Sequence, residues 1–381
     1  MKIHPKHILA KSLILSFCYL AFNCTQKSGN ESDDNSEATD DKSAYYTDED
    51  FGKISKINTH VHFKVYDTTF IAQAKRDHFK LITVNVNSGY SPPIGEQQGL
   101  AVKLLKAYPN DLAYATTISV KDFNEPGWAQ KTISYLDDSF EKGAIAVKIW
   151  KNVGMELKDA KGKFVMIDDP KFDPVLDFIE KSNATFIGHI GEPKNAWLPV
   201  DKMTVAGDKN YFSEHPEYHM YLHPEYPTHE YIMAARDHML EKHPKLKFVG
   251  AHLGSLEWDT DTLAKRLDLY PNMAVDMAER ITHFEFQAVT NPKKVRDFFV
   301  KYQDRLVYAT DETVNEKTPI DVYSKQAHEN WLEHWKFFTS SEKMKVADVE
   351  KEFNGLRLPK TVVDKIYRTN AENWFSLEKF K

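Results

Sequence analysis

The fold predicted by this sequence is a (β/α)8 TIM barrel, an α/β architecture of eight parallel strands wrapped by helices, and three observations predict it. Short β-rich runs alternate with amphipathic helical stretches from Phe51 onward. Eight such runs can be counted, and residues 51–381 leave room for the roughly 250 residues of a barrel plus insertions. No glycine-rich phosphate-binding turn follows the first run, which argues against a doubly wound open sheet.

The elements follow in order. Lys2, Lys6 and Lys11 precede a short apolar run from Leu13 to Phe22, too short to span a bilayer but suited to a secretory signal. Cys24 follows directly, so residues 1–24 are expected to be a lipoprotein-type signal peptide that leaves a lipid anchor on Cys24. Residues 25–50 carry two lysines against nine carboxylates, a charge of −7, with almost no aliphatic side chains. Such a stretch buries too little apolar area to offset its ordering entropy and is expected to be a flexible tether. The chain is therefore expected to be exported and held at the cell envelope.

The strand candidates are residues 54–63, 80–88, 112–120, 144–151, 184–192, 246–255, 272–280 and 305–313, which makes residues 51–381 the barrel domain. A long excursion, residues 193–227, separates the fifth strand from its helix. It is rich in His, Tyr and Pro and is expected to lie over the catalytic face. Residues 318–381 read as a C-terminal helical extension that closes the barrel. The composition, 41% hydrophobic and 28% charged with a mean hydropathy of −0.54, is that of a soluble globular chain. A net charge of −6 offers no basic surplus for nucleic acid. Cys18 and Cys24 are the only cysteines, so the barrel has neither a thiolate metal site nor a cysteine nucleophile.

Strand alternation predicts which side chains enter the barrel. It places Asn58, His60 and His62 inward on the first strand, Lys148 and Trp150 on the fourth, and Asp311 on the eighth. His189 and His252 follow at the ends of the fifth and sixth. Barrel interiors are normally filled by branched apolar side chains, so these ionisable groups need partners at one end of the barrel. A divalent cation satisfies them together, because two imidazoles at i and i+2 reach one ion from the same side.

On the motifs INTHVHF, FIGHIGEP, FVGAHLGS and YATDET and the closing LPKTVVDKIYRTNAENWF, the chain resembles the amidohydrolase superfamily, and more narrowly its amidohydrolase-related (amidohydrolase 2) branch, from about Ile54 to Phe375. That resemblance implies a metal-dependent hydrolase in which His60, His62 and His189 are metal ligands and Asp311 is both ligand and proton acceptor. His252 is either a second-metal ligand or a catalytic acid/base. Lys148 is a candidate for a carbamate bridging two ions, or a free cation for a substrate carboxylate. One ion, Zn before other divalent metals, or two are expected.

The expected reaction is hydrolysis of an amide, ester or lactone of a small molecule by metal-activated water. Non-oxidative decarboxylation is the alternative, and a tethered ligand-binding protein the third reading. Glu192, Arg280 and His223 are candidate substrate contacts, and Asp276 lies where substrate could be held. His215 and His219 read as packing of the excursion. The oligomeric state is left open.

Overall fold

The computed structural model describes residues 44–377. The segments expected to be a signal peptide, with Cys24, and most of the expected acidic tether lie outside the described residues. The end of that acidic stretch docks on the fold: the Tyr46 hydroxyl donates to Asp364 (2.7 Å) and Trp335 Nε1 donates to the Thr47 carbonyl (3.0 Å). Ordered structure thus begins before residue 51. No helix among the described residues is long and apolar enough to cross a membrane.

The sheet runs β1 (Lys56–Phe63), β2 (Phe79–Val84), β3 (Leu112–Thr117), β4 (Ala146–Ile149), β5 (Thr185–Gly188), β6 (Phe248–Gly250), β7 (Met273–Asp276), β8 (Leu306–Val307) and β9 (Glu312–Val314). Neighbours pair in sequence order, all parallel, and β9 returns to pair with β1. The single eighth strand expected from sequence is therefore two pieces. Leu306 and Val307 hold β7, Glu312 to Val314 hold β1, and the break between them carries Asp311 with φ of 68°. The fold is the α/β barrel.

Helices form where an apolar stripe meets a start signal. In Asp173–Lys181, Val175, Leu176 and Ile179 share the buried face and proline sits in the first turn. Asp259 caps Thr260–Leu269 by accepting from the backbone N–H groups of Asp261 and Thr262, and Thr228 caps His229–Lys242 in the same way through Tyr231.

Two apolar clusters separate the two faces of the sheet. One lies inside the barrel and includes Ile57, Ile82, Ala113, Ala146, Ile187, Val249, Ala274 and Val307; the other packs the outer face against the helices. Phe375 and Leu377 join the inner cluster, so the C-terminal segment closes the end from which the strands start. Asn370 Nδ2 locks it there by donating to the Leu306 carbonyl (2.7 Å). The opposite end, where the strands finish, is left open for the site.

Candidate metal centre

His60 and His62 reach the open end on β1. Ile57 belongs to the inner cluster but Val61 and Phe63 to the outer one, so the facing changes parity along this strand. It does so at a register shift between Asn58 and Val61, which turns both imidazoles inward above an apolar floor.

His252 and Asp311 arrive differently. In β6 the inner residues are Val249 and, beyond it, Ala251, so plain alternation would turn His252 outward. Instead His252, Leu253, Gly254 and Ser255 take φ between 55° and 61° in succession, a left-handed turn. Left-handed backbone costs roughly 1–2 kcal/mol per non-glycine residue. Several contacts hold the turn: Arg236, fully buried, donates to the Gly254 carbonyl (2.6 Å), and the Ser255 hydroxyl donates to the carbonyls of Ile190 and Gly191. His229 Nε2 donates to the Ser255 carbonyl (2.9 Å).

Each of three imidazoles has its Nδ1 committed. His60 Nδ1 donates to Asp276 Oδ2 (2.9 Å), His62 Nδ1 to the Val84 carbonyl (2.6 Å) and His252 Nδ1 to the Ala278 carbonyl (3.0 Å). Those acceptors carry no hydrogen, so the tautomer is fixed and each Nε2 offers a lone pair. Burial and the neighbouring Lys148 lower His60, and burial lowers His252 to about 3, so both rings are neutral at pH 7. Asp276, expected where substrate could be held, does not line the cavity. It is fully buried beneath the ligands rather than exposed to substrate, and its Oδ1 also accepts from the His252 N–H (2.8 Å).

The lone pairs meet at Asp311. Its Oδ1 lies 3.2 Å from His60 Nε2 and 3.0 Å from His62 Nε2, and its Oδ2 lies 4.0 Å from His252 Nε2. Acceptor faces acceptor here, and both His252 Nε2 and Asp311 Oδ1 are buried without a hydrogen-bond partner. Such atoms are costly unless a cation or proton fills the space between them. Separations of 3.0–3.2 Å match ligand atoms at about 2.0–2.1 Å from one ion. The residues therefore fit a divalent metal. Two groups of three could hold one: His60, His62 and Asp311, and His252, Glu279 and Asp311. Glu279 was not foreseen, because the alternation of β7 turns it outward and only its φ of 52° brings it back.

His189 packs on His252, ring centroids 4.2 Å apart, but belongs to neither group. Lys148 is buried, pulled down to about 8 by that burial, and donates to His60 Nε2 (3.1 Å). It thus sits at the ligand atom itself. Above the centre lies a cavity of about 860 Å³ lined also by Trp150, Glu192, Arg280 and, from the excursion, Asp208, Tyr211 and Phe212. Glu192 is buried and paired with Lys151, while Arg280 Nη1 stands 3.9 Å from both Asp208 Oδ1 and Glu279 Oε2.

His223 does not reach the cavity. Its Nε2 donates to the Pro216 carbonyl (2.9 Å), because short helical turns at Pro216–Tyr218 and Met220–Leu222 fold the excursion back on itself. His219 likewise donates to the Leu198 carbonyl.

A barrel with this constellation at the strand ends defines a metal-dependent enzyme. Residues 126–377 match the family model described as Amidohydrolase, well over half of the chain, and the chain belongs to that family. A search of curated proteins gives no match. Similar solved structures include 2,6-dihydroxybenzoate decarboxylase from Rhizobium, at 15% identity over 85% of this chain and 99% of that one, with a TM-score of 0.49. A 5-carboxyvanillate decarboxylase from Novosphingobium aromaticivorans, with bound manganese, is similar at 14% identity over 86% and 99%, TM-score 0.48. A protein assigned as a 2-pyrone-4,6-dicarboxylic acid hydrolase from Pseudomonas putida is similar at 12% identity over 85% and 98%, TM-score 0.44.

Proposed function

We propose that the chain hydrolyses an ester, lactone or amide bond of a small molecule, with His60, His62 and Asp311 holding a divalent ion. The observation that carries this reading is the meeting of His60 Nε2 and His62 Nε2 within 3.2 Å of Asp311 Oδ1, a buried oxygen without a hydrogen-bond partner. The ion supplies the charge that polarises a carbonyl and acidifies a water molecule. Asp311, whose second oxygen faces the cavity side near His252, takes a proton from the attacking water and returns it to the leaving group. Asp276 keeps His60 in the ligating tautomer, and the buried Lys148 stands at its Nε2.

The charge balance of the cavity favours hydrolysis over decarboxylation. Lys151 is already paired with Glu192, and Arg280 faces Asp208 and Glu279. A neutral ester or lactone fits that balance better than a substrate bearing its own carboxylate. Product analysis tests the choice: incorporation of one oxygen from labelled water into the product supports hydrolysis, and release of carbon dioxide without it overturns it. The same proposal keeps the chain at the cell envelope through Cys24; recovery in the membrane fraction, lost on Cys24→Ala, is the expected result.

A further inference from the structure

Resting on the hydrolase reading above, we infer that the mouth of the cavity is a subsite for an aryl ring, carried by the substrate away from its scissile carbonyl, with Tyr90 and Tyr211 as the faces that ring meets. Aromatic side chains from three separate segments stand side by side there. Trp150 lies just past the end of β4, Tyr90 in the loop after β2, and Tyr211 and Tyr218 in the excursion. Tyr90 stands edge-on to Trp150, with ring centroids 6.2 Å apart and 88° between planes, and to Tyr218 at 6.4 Å and 83°. Tyr218 in turn lies nearly parallel to Tyr211, at 6.2 Å and 15°. The row is continuous, and Tyr90, Trp150 and Tyr211 line the same cavity as the metal centre.

The faces are not equally free. Lys151, paired with Glu192, already lies over the rings of Trp150 and Tyr218, 5.6 and 5.1 Å from their centroids. Tyr90 and Tyr211 are 62% and 40% exposed, whereas His60 and His252 on the cavity floor are buried, so the open faces belong to the rim. The loop that carries Tyr90 is pinned. Buried Gln97 donates to the carbonyls of Val86 (2.9 Å) and Pro92 (2.6 Å) and accepts from the Val86 N–H (2.9 Å), and Asn152 donates to the Asn87 carbonyl (3.1 Å). A lone exposed tyrosine is ordinary, but exposed rings contiguous with a cavity mark a ligand surface. Holding their backbone in place beforehand lowers the ordering cost of binding.

The neighbouring polar groups set the class of ligand. The Ser88 and Ser91 hydroxyls bond each other (2.8 Å), Glu192 holds Lys151, and Asp208 accepts from Asn195 (2.8 Å). The rim therefore offers ring faces among side chains that are already committed. That suits an aryl group, which gains from offset or edge-to-face contact, better than a sugar, whose hydroxyls need free donors and acceptors.

The test uses full-length protein loaded with Mn2+ and four acetate esters with benzyl, cyclohexylmethyl, glucosyl and ethyl arms. Binding is read by calorimetry on the matching ketones, in which a methylene replaces the ester oxygen and nothing can be hydrolysed. The benzyl ketone is expected to bind about tenfold more tightly than the ethyl ketone, a preference lost in Tyr90→Ala and kept in Tyr90→Phe. Tyr221→Ala, an exposed ring of the excursion outside the cavity lining, should leave it unchanged. Equal or absent binding of the benzyl and ethyl ketones overturns the inference, as does a preference that survives Tyr90→Ala. A cyclohexylmethyl or glucosyl arm that binds as tightly as the benzyl arm overturns the aryl class. Turnover of the esters is read separately: aryl-selective binding without hydrolysis keeps the subsite and overturns the hydrolase reading, and hydrolysis without arm selectivity does the reverse.

Discussion

His60 and His62 sit on a paired strand and need one register shift to face the cavity, whereas His252, Glu279 and Asp311 sit on turns whose backbone is left-handed. The two halves meet at a single carboxylate. The strand-borne half is fixed by the sheet's own hydrogen bonds, so its geometry is secured by the same contacts that form the fold. The turn-borne half is fixed by side chains from elsewhere in the chain, such as Arg236 on the Gly254 carbonyl and Asp276, which also holds His60, on the His252 N–H.

The comparison can be broken at the shared residue. Asp311→Asn removes the carboxylate from both halves, and kcat is expected to fall about 10²–10⁴-fold, with bound metal lost by elemental analysis. Asp276→Asn touches both halves from beneath without removing a ligand. Metal affinity is expected to fall about 10–100-fold in a chelator competition, with the fold retained. Gly250→Ala separates the halves. A Cβ there would stand 2.9 Å from the Gly254 Cα, so the left-handed turn must shift while β1 is untouched. A loss of about 1–3 kcal/mol in denaturant unfolding is expected.

The smallest effect serves as a reference away from both halves. Glu285 is fully buried with neither carboxylate oxygen bonded, and burial, with Glu333 and Asp348 nearby, pushes it up to about 8. Its folded value lies above the ordinary 4.5. Stability from this group is therefore complete below about 4.5 and is lost as pH rises toward about 8. Glu285→Gln should flatten that slope and stabilise the protein at pH 8 by on the order of 1 kcal/mol, measured by thermal unfolding across pH, with metal content unchanged.

Much of the site was legible because β alternation is local. Lys148 and Trp150 follow from a period of two and line the cavity; His60 and His62 line it too, but through the register shift after Asn58, and Asn58 itself, expected inward, follows the inner Ile57 and bonds Glu312 instead. Alternation, which the sequence reading used for His252, would turn it outward because Val249 and Ala251 are the inner residues; the left-handed turn is what brings it in. Glu279 was missed for the same reason and without a motif to flag it. Its signal is a polar residue just past a strand end beside Arg280, which is too common in loops to single out. His223 was over-read: a histidine in a loop can satisfy its ring on a nearby carbonyl, and the Pro216 carbonyl does so here.

Alone, the sequence determined the repeating strand and helix pattern, the inward facing of Lys148 and Trp150, and the absence of a thiol in the barrel, because each depends on periodicity or residue identity. Tertiary structure decided the split of the eighth strand at Asp311, the left-handed turns at His252 and Glu279, and the burial of Asp276 under two ligands. Those features depend on contacts between residues distant in the chain, which hold backbone conformations that no local preference would select.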